Sequence, residues 1–189
     1  MLKNSLLLPG DIILLSNDGV LSFLIKNAQC IQTLDKKPSL WSHCVLVNDE
    51  HTIVESTLSV FYNTGKFFIR NGVVYSSINK YKNTSNAVVI RLPLSNVERQ
   101  RVLTKARILA NSHIRYPILG LVGALLSYWV FKWQSNPLQT KQALHCSAFI
   151  QECFSVVDVD FDKFYTARNI SPELISQYEC KGIFKFKLK

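Results

Sequence analysis

The chain has 189 residues and carries 22 lysines and arginines against 13 aspartates and glutamates, a formal charge of +9. With 48% apolar residues and 11 phenylalanines it is excluded from the disordered classes, and a single domain over 1–189 can bury a core without metal or disulfide staples. The basic balance fits anionic partners such as phospholipid head groups, nucleic acid or anionic cell-wall polymer, and fits equally a plain soluble basic protein. The positive residues are scattered, and no aromatic-and-arginine pattern marks a nucleic-acid surface, so no nucleic acid is expected as partner.

Pro9, Gly10 and Asp11 form a turn, and the apolar run 12–15 reads as a buried strand. Asn17 or Asp18 is placed to cap a helix through Val20, Leu21, Leu24, Ile25 and Ala28. A loop at 35–38 leads to a strand at 42–47. Asn48, Asp49 and Glu50 read as a hairpin turn, with the return strand at 52–56. The stretch 60–81 is extended and rich in aromatics, and 87–92 is a strand with β-branched residues. Ser95 with Glu98 three residues on is a capping box, opening a helix through Val102, Ala106, Leu109 and Ala110.

The run 118–131 is almost wholly apolar and uncharged, but shorter than the roughly 20 residues a membrane span needs. It reads as a buried or surface-inserting helix. From Cys146 the sequence CSAFIQECF reads as an amphipathic helix, followed by a helix near 172–178. The tail alternates Lys181, Lys185, Lys187 and Lys189 with Ile183, Phe184, Phe186 and Leu188, the pattern of a terminal strand with one wet face. Strands dominate the first half and helices the second, which predicts an α+β fold.

The five cysteines are odd in number and lack any CxxC spacing. That argues against a disulfide framework or a structural zinc site, and no cofactor or metal is expected. Reduced thiols fit a cytosol, and the apolar run before Pro9 is too short for a secretory core. Cytoplasmic location is therefore the default expectation, with membrane association or signal-independent export as alternatives.

Three residues point to chemistry. Cys146 follows a polar loop and starts a helix, where unpaired amides and the helix dipole stabilise a thiolate and can hold an oxyanion. Alone, a free cysteine is more often a small buried hydrophobe. His43 shares a strand face with Val45 and Val47, pointing to the core side, where a buried imidazole needs partners. Glu55, on the return strand, comes back near His43 across the hairpin, where a carboxylate would orient the ring. His145 sits beside Cys146 and competes as a base, but neighbours at a helix start point in different directions. His51 and His113 read as surface residues.

The segments GDIILL, WSHCVLV, TIVES and HCSAFIQECF, in this order, resemble the circularly permuted papain-like cysteine hydrolases. This is the YiiX-like branch of the NlpC-type superfamily, related to lecithin:retinol acyltransferases. Tyr116 and the run Ile170, Ser171, Pro172, Glu173 also match, so the resemblance spans nearly the whole chain. In that branch the order is His, a polar third residue, then Cys at a helix start.

The resemblance implies a permuted papain-like fold, a small antiparallel sheet or barrel packed against helices. It implies Cys146 as nucleophile, His43 as general base and Glu55 as the orienting residue. Tyr116 would line the substrate cleft, or be a core aromatic with its hydroxyl at the rim. The implied substrate is a peptide or an acyl lipid, cleaved at an amide, ester or thioester. The apolar 118–131 run and the positive charge lean toward a lipid or membrane surface, with Trp129, Phe131 and Trp133 at the bilayer boundary. The alternatives are a catalytically silent binding module and a membrane-associated protein on the same fold.

Overall fold

The computed structural model describes residues 7–63, 66–84, 86–112, 144–161 and 170–187. Tyr116, His113, the 118–131 run and Trp129, Phe131 and Trp133 lie outside the described residues. The first apolar run becomes β1 (Ile12–Ser16), buried along its whole length. It is flanked on both sides by antiparallel partners, β2 (His43–Val47) and β5 (Asn86–Arg91). That central place explains its unbroken apolar sequence, since neither face nor edge meets water.

From β2 the chain turns into β3 (Thr52–Asn63), with Leu46 opposite Val54 and Val47 opposite Ile53. Asp49 holds the turn. Its Oδ1 accepts the His51 and Thr52 N–H groups, each at 2.9 Å, and its Oδ2 accepts the Thr52 hydroxyl at 2.5 Å. β3 then runs to Asn63, well past the predicted end at Ser56, because it pairs along its length with β4 (Lys66–Ser77). β6 (Phe184–Lys187) adds onto β5. The result is a six-stranded antiparallel open sheet in the order β4-β3-β2-β1-β5-β6.

The helices are α1 (Val20–Ala28), α2 (Asn96–Asn111), α3 (Cys146–Phe154) and α4 (Pro172–Gln177). The capping box at α2 is present as read, with Ser95 and Glu98 capping one another's backbone. At α1 the expected cap by Asn17 or Asp18 is not made. The N-cap is Gly19, whose φ of 107° suits a residue without Cβ, and no side chain caps the helix. Lys26 instead bonds back to the Ser16 hydroxyl at 2.8 Å and the Asn17 carbonyl at 2.9 Å.

Two further expectations are corrected. α3 is not amphipathic: every residue but Glu152 is buried, because the helix lies between the sheet and α2. Glu152 reaches Lys105 of α2 at 2.8 Å. Nor does β2 have a single core side. Cys44 and Leu46 join the core under α2 and α3, whereas Val45 and Val47 join a second core with Ile13, Leu15, Ile53 and Ile78. His43, the first residue of the strand, belongs to neither core. In the tail, Phe186 packs on the second core while Phe184 stays exposed.

The Gly10-Asp11 turn has a structural task. Gly10, at φ 87°, donates its N–H to the Val47 carbonyl at 2.8 Å. Asp11 is fully buried and takes the Arg91 fork, 2.9 Å to Nε and 2.6 Å to the second terminal nitrogen. Arg99 of α2 approaches the same carboxylate at 3.6 Å and donates to the Pro9 carbonyl at 3.1 Å. One carboxylate thus ties the start of β1 to β5 and α2. Among the described residues, no helix is long and apolar enough to cross a membrane.

Candidate active site

Cys146 is the first residue of α3. Its approach is pinned from three directions. Ser56 of β3 donates its hydroxyl to the Leu144 carbonyl, and Ser147 donates to the Ile170 carbonyl at 2.6 Å. His145 is the N-cap, its Nδ1 accepting the Ala148 N–H at 3.2 Å. The ring of His145 is thereby engaged in the helix cap.

The three residues expected to form a site are brought together. His43 opens β2 with its side chain only 10% exposed, and its Nε2 lies 2.9 Å from Glu55 Oε2. His43 and Cys146 each shift the other's pKa, by charge and by a side-chain hydrogen bond. Burial pulls the imidazole toward the neutral form. The Cys146 thiolate and the Glu55 carboxylate outweigh it and raise the His43 pKa to about 9.

Glu55 is fully buried and carries three donors: His43, the Lys80 ammonium at 2.7 Å on Oε1, and the Tyr81 hydroxyl at 2.5 Å on Oε2. Burial alone would raise its pKa. The bonds and charges of His43 and Lys80 reverse that and hold the carboxyl well below the usual carboxylate range. Tyr81 responds in the opposite sense, its phenol pushed far up by burial and by the neighbouring carboxylate, so it stays a donor. Its ring also lies 5.9 Å from the His43 ring, centroid to centroid.

Cys146 has its pKa lowered well below the ordinary thiol value. A hydrogen bond from the Cys44 thiol is the largest cause, burial opposes it, and the charge and hydrogen bond of His43 add to it. Cys44 is raised by burial and by the thiolate it faces, which keeps it a neutral donor. Cys44, Lys80 and Tyr81 were not read from the sequence. Cys44 carried no signal, since strand alternation turned it away from His43 and only the packing of α3 brings it to Cys146. Lys80 and Tyr81 carried none, for they sit in a stretch that read as extended. There Ser77 accepts the Asn79 N–H and bends the chain into a 3-10 turn, Ile78–Tyr81.

A cavity of about 410 Å³ opens beside His43. Ser42, Thr57, Lys80 and Tyr81 line it from the sheet side, and Leu21 and Ile25 of α1 from the other. Among the described residues, no three His, Cys, Asp or Glu side chains gather as a metal site. His51 is exposed, as read. No protein-family model matches the chain, and no curated protein matches it.

Proposed function

We propose that the protein is a cysteine hydrolase of the permuted papain-like, NlpC-type class, acting through Cys146, His43 and Glu55. The observation that carries this reading is one buried chain of contacts. A thiol at a helix start is coupled to an imidazole, and a fully buried carboxylate holds the Nε2 of that ring at 2.9 Å. The six-stranded sheet with α3 packed on it accommodates such a fold.

In this mechanism the Cys146 thiolate attacks the acyl carbon of an amide, ester or thioester. The carbonyl electrons move onto oxygen, and the N–H of Cys146 at the first helical position stabilises the charge. As the intermediate collapses, the bond to the leaving group breaks and His43 gives it a proton. A water molecule then loses its proton to His43 and attacks the thioester, releasing the acid and restoring the thiolate. Glu55 keeps the ring oriented and its charged form stable throughout. The substrate is a peptide or an acyl lipid.

The test is the rate of iodoacetamide alkylation of Cys146 across pH, followed by mass spectrometry, in the native chain and in His43→Ala. An activated pair gives a rise well below pH 8.5, moving toward about 8.5 in the variant. A thiol that titrates ordinarily in both proteins refutes the reading. The alternative, a silent binding module on the same fold, draws on the 5% exposure of Cys146. Failure of every cysteine-directed acyl probe on folded protein selects it.

A further inference from the structure

α1 presents a physical anomaly. Its sequence VLSFLIKNA is predominantly apolar, yet Ala28 is its only buried residue. A helix of that composition is ordinarily covered. Val20, Phe23 and Leu24, at helical spacing i, i+3 and i+4, stand outward, with Val20 78% and Phe23 64% exposed. The loop that follows continues the patch, with Leu34 94% and Leu40 62% exposed. It is held against the helix end by the Ser39 N–H, which donates to the Lys26 carbonyl at 3.0 Å. Among the described residues, six of the eleven exposed large apolar side chains fall between positions 20 and 40. They are therefore a patch, not the scattered singles of an ordinary surface.

Charge chooses among the possible partners. α1 contains no acidic residue, and in the exposed loop beside Leu34 the two lysines Lys36 and Lys37 outnumber Asp35, which lies 3.4 Å from Lys37. A second copy of a chain with charge +9 meets like-charged repulsion at this face. An anionic bilayer meets attraction from the lysines and takes up the apolar side chains at its head-group boundary.

We infer that α1 and the loop through Leu40 form a docking surface for an anionic lipid bilayer. The surface does not depend on the chemistry assigned to Cys146. Its position is nonetheless useful, because Val20 and Leu21 also line the cavity beside His43. A chain seated on a membrane by α1 would have the mouth of that cavity next to the lipid surface.

The experiment is sedimentation of the full chain with vesicles of phosphatidylglycerol and phosphatidylcholine, beside vesicles of phosphatidylcholine alone. Binding to the anionic vesicles that weakens with added salt is expected. The double variant Phe23→Ser with Leu24→Ser should bind about tenfold or more weakly, by loss of inserted apolar surface. Lys36→Gln with Lys37→Gln should weaken it about fivefold for each charge removed. Light scattering and thermal melting of the same proteins complete the test. A native chain that ignores anionic vesicles, or variants that bind as well as it does, overturns the proposal. A native dimer dissolved by the Phe23 and Leu24 changes assigns the patch to a second copy and overturns it too. So does a marked loss of thermal stability in that variant, which would mean the chain itself covers the patch.

Discussion

His43 and Tyr81 share a single oxygen: Glu55 Oε2 lies 2.9 Å from the His43 Nε2 and 2.5 Å from the Tyr81 hydroxyl. The phenol therefore competes with the imidazole for the same negative charge, while holding that oxygen in place. Tyr81→Phe removes the competitor. The His43–Glu55 bond then strengthens, and the imidazolium persists to higher pH than its native value of about 9. In the proposed hydrolysis, the acylation rate falls once His43 loses the proton it gives to the leaving group. The native rate should decline through about pH 9, and the decline in Tyr81→Phe should lie higher. A purely structural role would lower the melting temperature and leave the limb where it was. The pH profile of single-turnover acylation separates the two.

Glu55→Gln replaces the carboxylate bonded to His43 with an isostere that cannot stabilise an imidazolium. The proposed hydrolysis should fall by about 10²–10⁴-fold, with the fold retained. The same variant has a signature in stability. The folded carboxyl titrates well below its ordinary value of 4.5, so it contributes stability that is complete above that value. This contribution is lost progressively as pH falls from there toward the folded value. Urea titrations at a series of pH values from neutral into acid should show a shallower acid loss in Glu55→Gln than in the native chain.

Cys44 is the largest cause of the lowered Cys146 pKa, and it acts as a thiol donor. Cys44→Ala removes the donor, so the alkylation rise of Cys146 should move to higher pH. Cys44→Ser keeps an O–H in the same place and should move it less. Equal profiles in all three proteins would show that the Cys44 thiol does not hold the Cys146 charge.

Arg91→Ala strips the guanidinium from a fully buried Asp11. An uncompensated buried carboxylate costs about 3–5 kcal/mol, and Arg99 at 3.6 Å offsets part of it. A loss of about 3 kcal/mol in denaturant unfolding is expected. The pH dependence of Cys146 alkylation should stay unchanged in the folded fraction, because Arg91 lies on β5, away from the thiol.

Much of the framework was legible because it depends on short windows of chain. The unbroken apolar run of β1, the β-branched β5 and the Ser95–Glu98 capping box each act through neighbours a few residues apart. The His43 to Glu55 pairing was legible for the same reason, since the Asp49 turn is only a few residues long and returns one strand beside the other. Cys146 could be placed at a helix start from the polar loop before it. What failed locally also failed for a local reason. The α1 cap went to Gly19, whose φ of 107° is a conformation that Asn17 and Asp18 would adopt less readily.

The tertiary structure alone decided which groups surround that core of three. Tyr81 reaches Glu55 across 26 residues, and Ser56 fixes the Leu144 carbonyl across 88. No periodicity or cap encodes such a contact, because it exists only after β4 has paired with β3 and α3 has settled on the sheet. The same holds for the packing of α3 on the sheet, which brings the neighbouring residues His43 and Cys44 of β2 both to Cys146. The sequence by itself determined the elements and the nucleophile, base and orienting carboxylate as candidates. Their protonation states were decided by packing, because a pKa is set by desolvation and by charges within a few ångströms, whatever their separation along the chain.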